Sequence, residues 1–323
     1  MNTFGWLVKR EYWEHKGGFF WTPVWISGVM LLLTLLGIIV AESASSRVQI
    51  NGAIPWKEIA ARLSAGDYVH AGTGLDVAYV ALAGVLCIGL FFVLFFYLLG
   101  ALYDDRRDRS VLFWKSLPIS DTSTVLSKVS AALLLAPLIS LAIATIAYVA
   151  LLVIVGIWAL LHGISPFQAI GASHTLGLSW RLLLTIPVDA LAALPTAGWL
   201  LFWSAFARSK PFLWAVLVPL FAAIANGWIG LMGLPNFDKD FLFKEVIARL
   251  LFGIFPGWWI DDGNPDLRNM KHVFRGEDMI EIFNPGRVYA VLATPGIWIA
   301  AAAGIALIAT AVWLRRSRIE TST

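Results

Sequence analysis

Cysteine is almost missing from this chain: Cys87 stands alone among 323 residues, which excludes a disulfide framework and a thiolate metal site. Charge is scarce as well. Only 14% of the residues are Asp, Glu, Lys or Arg, against about a quarter in soluble domains, so a water-facing globular surface is excluded. The short signatures of nucleotide and hydrolytic chemistry are absent too. No Gly-Lys dipeptide occurs, hence no phosphate-cradling loop ending in Gly-Lys-Ser/Thr. There is no His-Glu-x-x-His pair and no Gly-x-Ser-x-Gly elbow, and "GTGLDV" at 72–77 lacks the last glycine of a Gly-x-Gly-x-x-Gly turn. The five histidines, at 15, 70, 162, 174 and 272, have no ligand spacing. No catalytic residue, metal set or cofactor is therefore expected in this chain, and any nucleotide power must come from another one.

What is abundant is apolar sequence: 59% of residues are hydrophobic and the mean hydropathy is +0.76. A bilayer core of about 30 Å needs roughly 20 mainly apolar residues in a helix. Six runs satisfy that: 24–41, 77–103, 129–161, 182–207, 211–231 and 288–314, the third with a kink expected at Pro137. The runs are continuous where a barrel strand would alternate, so the fold class is an all-α polytopic membrane protein with six transmembrane helices. It is read as a single domain over 1–323. The first run is longer than a signal-peptide core of about 7 to 15 residues, and Trp21, Pro23 and Trp25 open it, so it reads as an uncleaved span.

Lysine and arginine set the orientation. With the amino terminus inside, the inner segments carry Lys9, Arg10 and Lys16, then Arg106, Arg107, Arg109, Lys115 and Lys128, then Arg208 and Lys210, then Arg315, Arg316 and Arg318. The short outer loops hold few: Arg47, Lys57, Arg62 and Arg181. Both termini are expected in the cytoplasm of a bacterial-type inner membrane, and the long loop 233–287 outside.

The polar segments that do not span carry the functional information. Residues 1–20 mix tryptophan, tyrosine and basic residues before the first span, as suits an interfacial helix, although Glu11 interrupts the stripe of Phe4, Val8 and Tyr12. The segment 104–122 puts a dense charge cluster beside Phe113 and Trp114. A helix from about Asp108 groups Phe113, Trp114 and Leu117 on one side, with Arg109, Lys115 and Ser116 away from it. Pro118 stops that helix, and Ser120 or Asp121 can cap the next span. In the outer loop, "LFKEVIARLL" at 242–251 places Leu242, Phe243, Val246, Ile247 and Leu250 on one face and Lys244, Glu245 and Arg249 on the other. The rings of "PGWW" at 256–259 follow it and favour the interface. The acidic turn "DDGNPD" at 261–266 lacks the spacing of a calcium loop and reads as solvated. Asp189 is the ionisable residue expected inside a span, near kinks at Pro187 and Pro195, and it is a candidate for the transport pathway.

"DRRDRSVLFWKSLPISDTSTVLSK", 105–128, resembles the inner loop of type-2 ABC exporter permeases. There, an aspartate-arginine-rich turn precedes a Phe-Trp-Lys-Ser-Leu-Pro-like run and a Ser/Asp start to the next span. "LVKREYWEHKGGFFWTPVW", 7–25, resembles the interfacial helix and first-span opening of the same family. The resemblance implies a cytoplasmic coupling helix between spans two and three that touches a separate ATP-hydrolysing subunit. Asp105, Arg106, Arg109, Phe113, Trp114, Leu117 and Pro118 are the expected contact residues. It also implies two copies of that ATPase, which would hold the ATP and Mg2+, a second permease copy or homologous permease, and an amphipathic outer segment covering the exit of the pathway. Lipid is the surrounding medium, and no nucleic acid is expected. Two other classes compete. A proton- or ion-coupled secondary transporter would show inverted repeats, broken helices and several buried ionisable residues. A non-transporting membrane assembly protein would need none of these.

Overall fold

The computed structural model describes residues 3–44, 68–108, 119–238, 241–258 and 283–317, and these are helical without strands. Six helical segments are long and apolar enough to cross a membrane.

The amino-terminal helix α1 (Thr3–Glu14) runs through a π turn, Gly17–Trp21, into α2 (Thr22–Ala44). The amides of His15 and Phe19 keep the backbone ladder intact across the junction. Pro23 follows directly on the π turn, and because it has no N–H it leaves a carbonyl of that turn without its helical donor. The expected stripe on α1 is shifted: Leu7 and Glu11 are buried, and Phe4 is exposed. The second span, α3 (Tyr68–Gly100), begins well before Val77 and so takes Asp76 into the bundle. A short helix, α4 (Tyr103–Arg107), follows it.

The third span is α5 (Asp121–Ser130), a π turn over Ala131–Leu135, and α6 (Ala136–Leu161). The irregularity expected at Pro137 thus lies in the turn before it, because proline can neither donate to that turn nor pack against its carbonyl. The short helix α7 (Pro166–Ala172) leads into the fourth span, α8 (Thr175–Phe206), which contains Pro187 and Pro195. The fifth span, α9 (Pro211–Leu231), has the expected bounds.

In the loop that follows, the winding is π over Phe241–Ala248 and α only over α10 (Arg249–Phe252). This wider winding turns the faces relative to a 100° helix. Ile247 and Ala248 are buried while Phe243, expected on the apolar face, is 62% exposed. The last span starts later than expected. The short helix α11 (Pro285–Ala290) and a 3-10 turn, Val291–Ala293, come first, and α12 (Pro295–Ser317) begins only after Thr294 adopts an extended ψ of 130°. An extended conformation is the one favoured before proline.

The closest pairing is α8 with α12. A Cβ on Gly198 would strike the carbonyl of Gly304, and one on Gly304 would strike the backbone at Leu194 and Pro195. With no side chain in the way, the two backbones touch. Around that axis the largest apolar core, including Phe19, Leu98, Val125, Leu200, Leu201 and Ala311, gathers at the end of the bundle where α1 sits. A smaller core around Tyr79, Tyr148 and Leu178 lies toward the opposite end.

Candidate functional site: a buried ionic clasp at the root of the 105–128 segment

Four elements, α1, α4, α5 and α12, converge at the α1 end of the bundle, and each brings a charge. Glu11 of α1 is fully buried. Its Oε2 accepts a hydrogen bond from the Tyr97 hydroxyl at 2.9 Å and lies 3.4 Å from Lys128 Nζ, while its Oε1 pairs with Arg10. Lys128, in the last turn of α5 and 1% exposed, also lies 3.5 Å from Asp105 Oδ2 in α4. Asp105 is 3.9 Å from Arg315 of α12, and the Arg315 Nε lies 3.2 Å from Asp121 in the first turn of α5. The chain Glu11–Lys128–Asp105–Arg315–Asp121 therefore binds α1, α4, α5 and α12 together. Its two cations and three anions, with Arg10, sum to zero, which lowers the cost of holding ions there.

Local chemistry puts each group there. Ser120 is the N-cap of α5: its Oγ accepts from Ser123 N at 3.1 Å. That leaves Asp121 free to turn toward Arg315, with its charge also favourably placed at the helix amino terminus. Arg106 reaches the other way. Its Nη2 donates to the carbonyls of Ser204 and Ala207 at 2.5 and 3.0 Å, satisfying acceptors at the carboxyl end of α8. The Ser204 Oγ accepts from the amides of Leu102 and Tyr103 at 2.9 and 3.0 Å. The turn between α3 and α4 is thereby sewn to α8.

Burial raises the Glu11 carboxyl, but the Lys128 ammonium, the Arg10 guanidinium and the hydrogen bonds from Tyr97 and Arg10 more than reverse this, and its pKa lies below the ordinary 4.5. Glu14 and His15 stand close enough to Glu11 to make a metal-like trio. The Glu11 oxygens already serve Tyr97, Lys128 and Arg10, so these groups belong to the clasp.

Of the residues expected to touch a partner, Asp105 and Arg106 are found here, facing inward as fasteners. Arg109, Phe113, Trp114, Leu117 and Pro118 lie outside the described residues, as do Trp259 and the acidic turn at 261–266. Asp189 is in the wall of an apolar cavity in mid-bundle, away from the clasp. Its Oδ2 accepts from Thr185 Oγ1 at 3.0 Å and its Oδ1 from Gly257 N at 2.8 Å. It thus joins α8 to the end of the outer segment, which is also held where Thr196 Oγ1 donates to the Arg249 carbonyl.

Glu11, Lys128, Asp121 and Arg315 were not singled out by sequence as a set. The signal for Glu11 was its place inside an apolar stripe; Lys128 and Arg315 read only as inner-side charges. Asp76, 1% exposed, is a second omission. It accepts from His174 N and Thr175 Oγ1, each at 3.0 Å, and so caps α8 from a neighbouring helix. Tyr148, Thr175, Tyr79 and Ser179 extend that network at the far end of the bundle. Asp189 is therefore not the sole ionisable group within the spans. No family model, curated protein or solved structure matches this chain.

Proposed function

We propose that this chain is the permease subunit of an ATP-driven exporter of the type-2 ABC kind, coupled through 104–122 to a separate ABC ATPase. Two ATPase copies and a second permease complete the machine, with ATP and Mg2+ held by the ATPases. The observation that carries the reading is the way the two ends of that segment are rooted. Asp105 and Asp121 flank it, and both are tied to Arg315. Asp105 is further linked through Lys128 to Glu11, and Arg106 to the end of α8. A push on the segment therefore acts on α1, α8 and α12 at once, as a coupling element requires, whereas a mere charge anchor needs no such rooting. The lack of a phosphate-binding motif in the sequence agrees with a division of labour between chains.

The test is Trp114→Ala with Leu117→Ala. Interface anchors of this type cost about 2 kcal/mol or more when truncated. The double variant should keep expression and topology, lose transport, and weaken co-purification of an ATPase. Wild-type transport from it would reduce the segment to a topology anchor. A second reading, a proton- or ion-coupled transporter, draws on the buried carboxylate Asp76, the half-buried Asp189 and the tyrosines near Asp76. Transport by the purified chain in proteoliposomes with an ion gradient and no ATPase would decide for it.

A further inference from the structure

The spans His70–Arg107, Asp121–Leu161 and Pro166–Phe206 enclose a cavity of about 190 Å³ near the middle of their length, closed on one side by Ile254–Gly257. We propose that the end of one phospholipid acyl chain enters this cavity from the bilayer at Gly84 and is bound there as part of the folded protein. Position makes hydrocarbon the nearest material, because the middle of a spanning helix lies in the hydrocarbon core of the bilayer.

The walls decide between possible fillers. They are almost wholly apolar, and the one charged group among the described lining residues, Asp189, is engaged with Thr185 and Gly257. A buried water would need roughly two to four polar partners, and such walls offer few. An empty void would forfeit the dispersion contacts of its lining. A hydrocarbon chain supplies those contacts and asks for no hydrogen bond. Size limits how much of it enters: an apolar cavity of about 150 Å³ takes up benzene, so 190 Å³ holds a chain end of about six to eight carbons and not a whole lipid.

Gly84 is the way in. Among the described lining residues it alone is exposed, and a Cβ there would meet nothing within 4 Å. Further in, Leu86, Leu90 and Leu133 are only 2%, 4% and 5% exposed, out of reach of lipid that merely surrounds the bundle. The competing account keeps the cavity hydrated or shut, and it predicts that lipid touches the outer faces of the helices alone. The inference goes beyond the permease reading and does not depend on it.

The test uses the full chain in nanodiscs of phosphatidylcholine that carries a diazirine near the methyl end of one acyl chain. After irradiation, adducts are mapped by peptide mass spectrometry. They should appear on Leu86, Leu90 or Leu133 as well as on the exposed Phe92, Ile146 and Phe221. Gly84→Trp should plug the entrance, so that the inner adducts are lost while those at Phe92, Ile146 and Phe221 persist. Wild-type adducts confined to the exposed positions would overturn the proposal, whether or not the variant folds. So would inner adducts that survive Gly84→Trp at an unchanged thermal midpoint, or inner adducts formed by a free diazirine fatty acid and not by the phospholipid.

Discussion

Lys128 is the residue on which the clasp turns, since its ammonium faces both Glu11 and Asp105 with only 2% of its side chain exposed. Breaking a buried pair strands the remaining charge, a loss of about 3–5 kcal/mol. Lys128→Met should therefore lower the thermal midpoint sharply in detergent. Adding Glu11→Gln should recover part of that loss, because it removes the stranded anion. Additive losses in that cycle would mean the two groups do not interact. Glu11 also fixes the pH behaviour. Its folded pKa is depressed below 4.5, so the stability it contributes is complete above the unfolded value and is lost as pH falls through the folded one. Amide exchange in α1 should rise on acidification through that window in the wild type. In Glu11→Gln it should be high at neutral pH already and show no such step.

At the scale of elements, the two glycines of the α8–α12 contact make a sharper prediction than any apolar side chain. Gly304→Leu drives a side chain into the backbone of Leu194 and Pro195. Overpacking of this kind costs about 1–3 kcal/mol, and the variant should unfold at lower temperature with α8 and α12 spread apart. At Gly84 an added Cβ meets nothing within 4 Å, so Gly84→Ala should leave the midpoint unchanged or slightly raised. These elements also show how far the sequence was legible. All six spans could be read directly, since apolar runs of bilayer length have no other stable fate. Their ends were not legible where π winding or a 3-10 turn intervenes, at Gly17–Trp21, Ala131–Leu135 and Val291–Ala293. Such irregularities answer to packing and leave no periodic mark. The Ser120 cap was legible because its signal is local. The Glu11–Lys128 pair, separated by 117 positions, was not, because a single sequence records which charges exist and not which of them meet.

The described residues form a bundle with an ionic, tightly rooted end and an apolar cavity in its middle that has Asp189 in its wall. The excess of lysine and arginine at the rooted end makes an inward orientation of that end the expected one. In a Cys87→Ser background, cysteines at positions 46 and 269 should react with an impermeant maleimide applied to intact cells, and one at 317 should not; labelling at 317 would invert the architecture. The central claim is that the segment between Asp105 and Asp121 meets an ATPase. It is tested most directly by placing a photoreactive phenylalanine analogue at position 114 and irradiating intact membranes. The account predicts a crosslink to a soluble subunit bearing a Gly-x-x-x-x-Gly-Lys-Ser/Thr loop, lost when the probe is moved into the lipid-exposed face of α9 at Phe221. Adducts at position 114 confined to lipid or to other copies of this chain, with no nucleotide-binding protein among them, would contradict it.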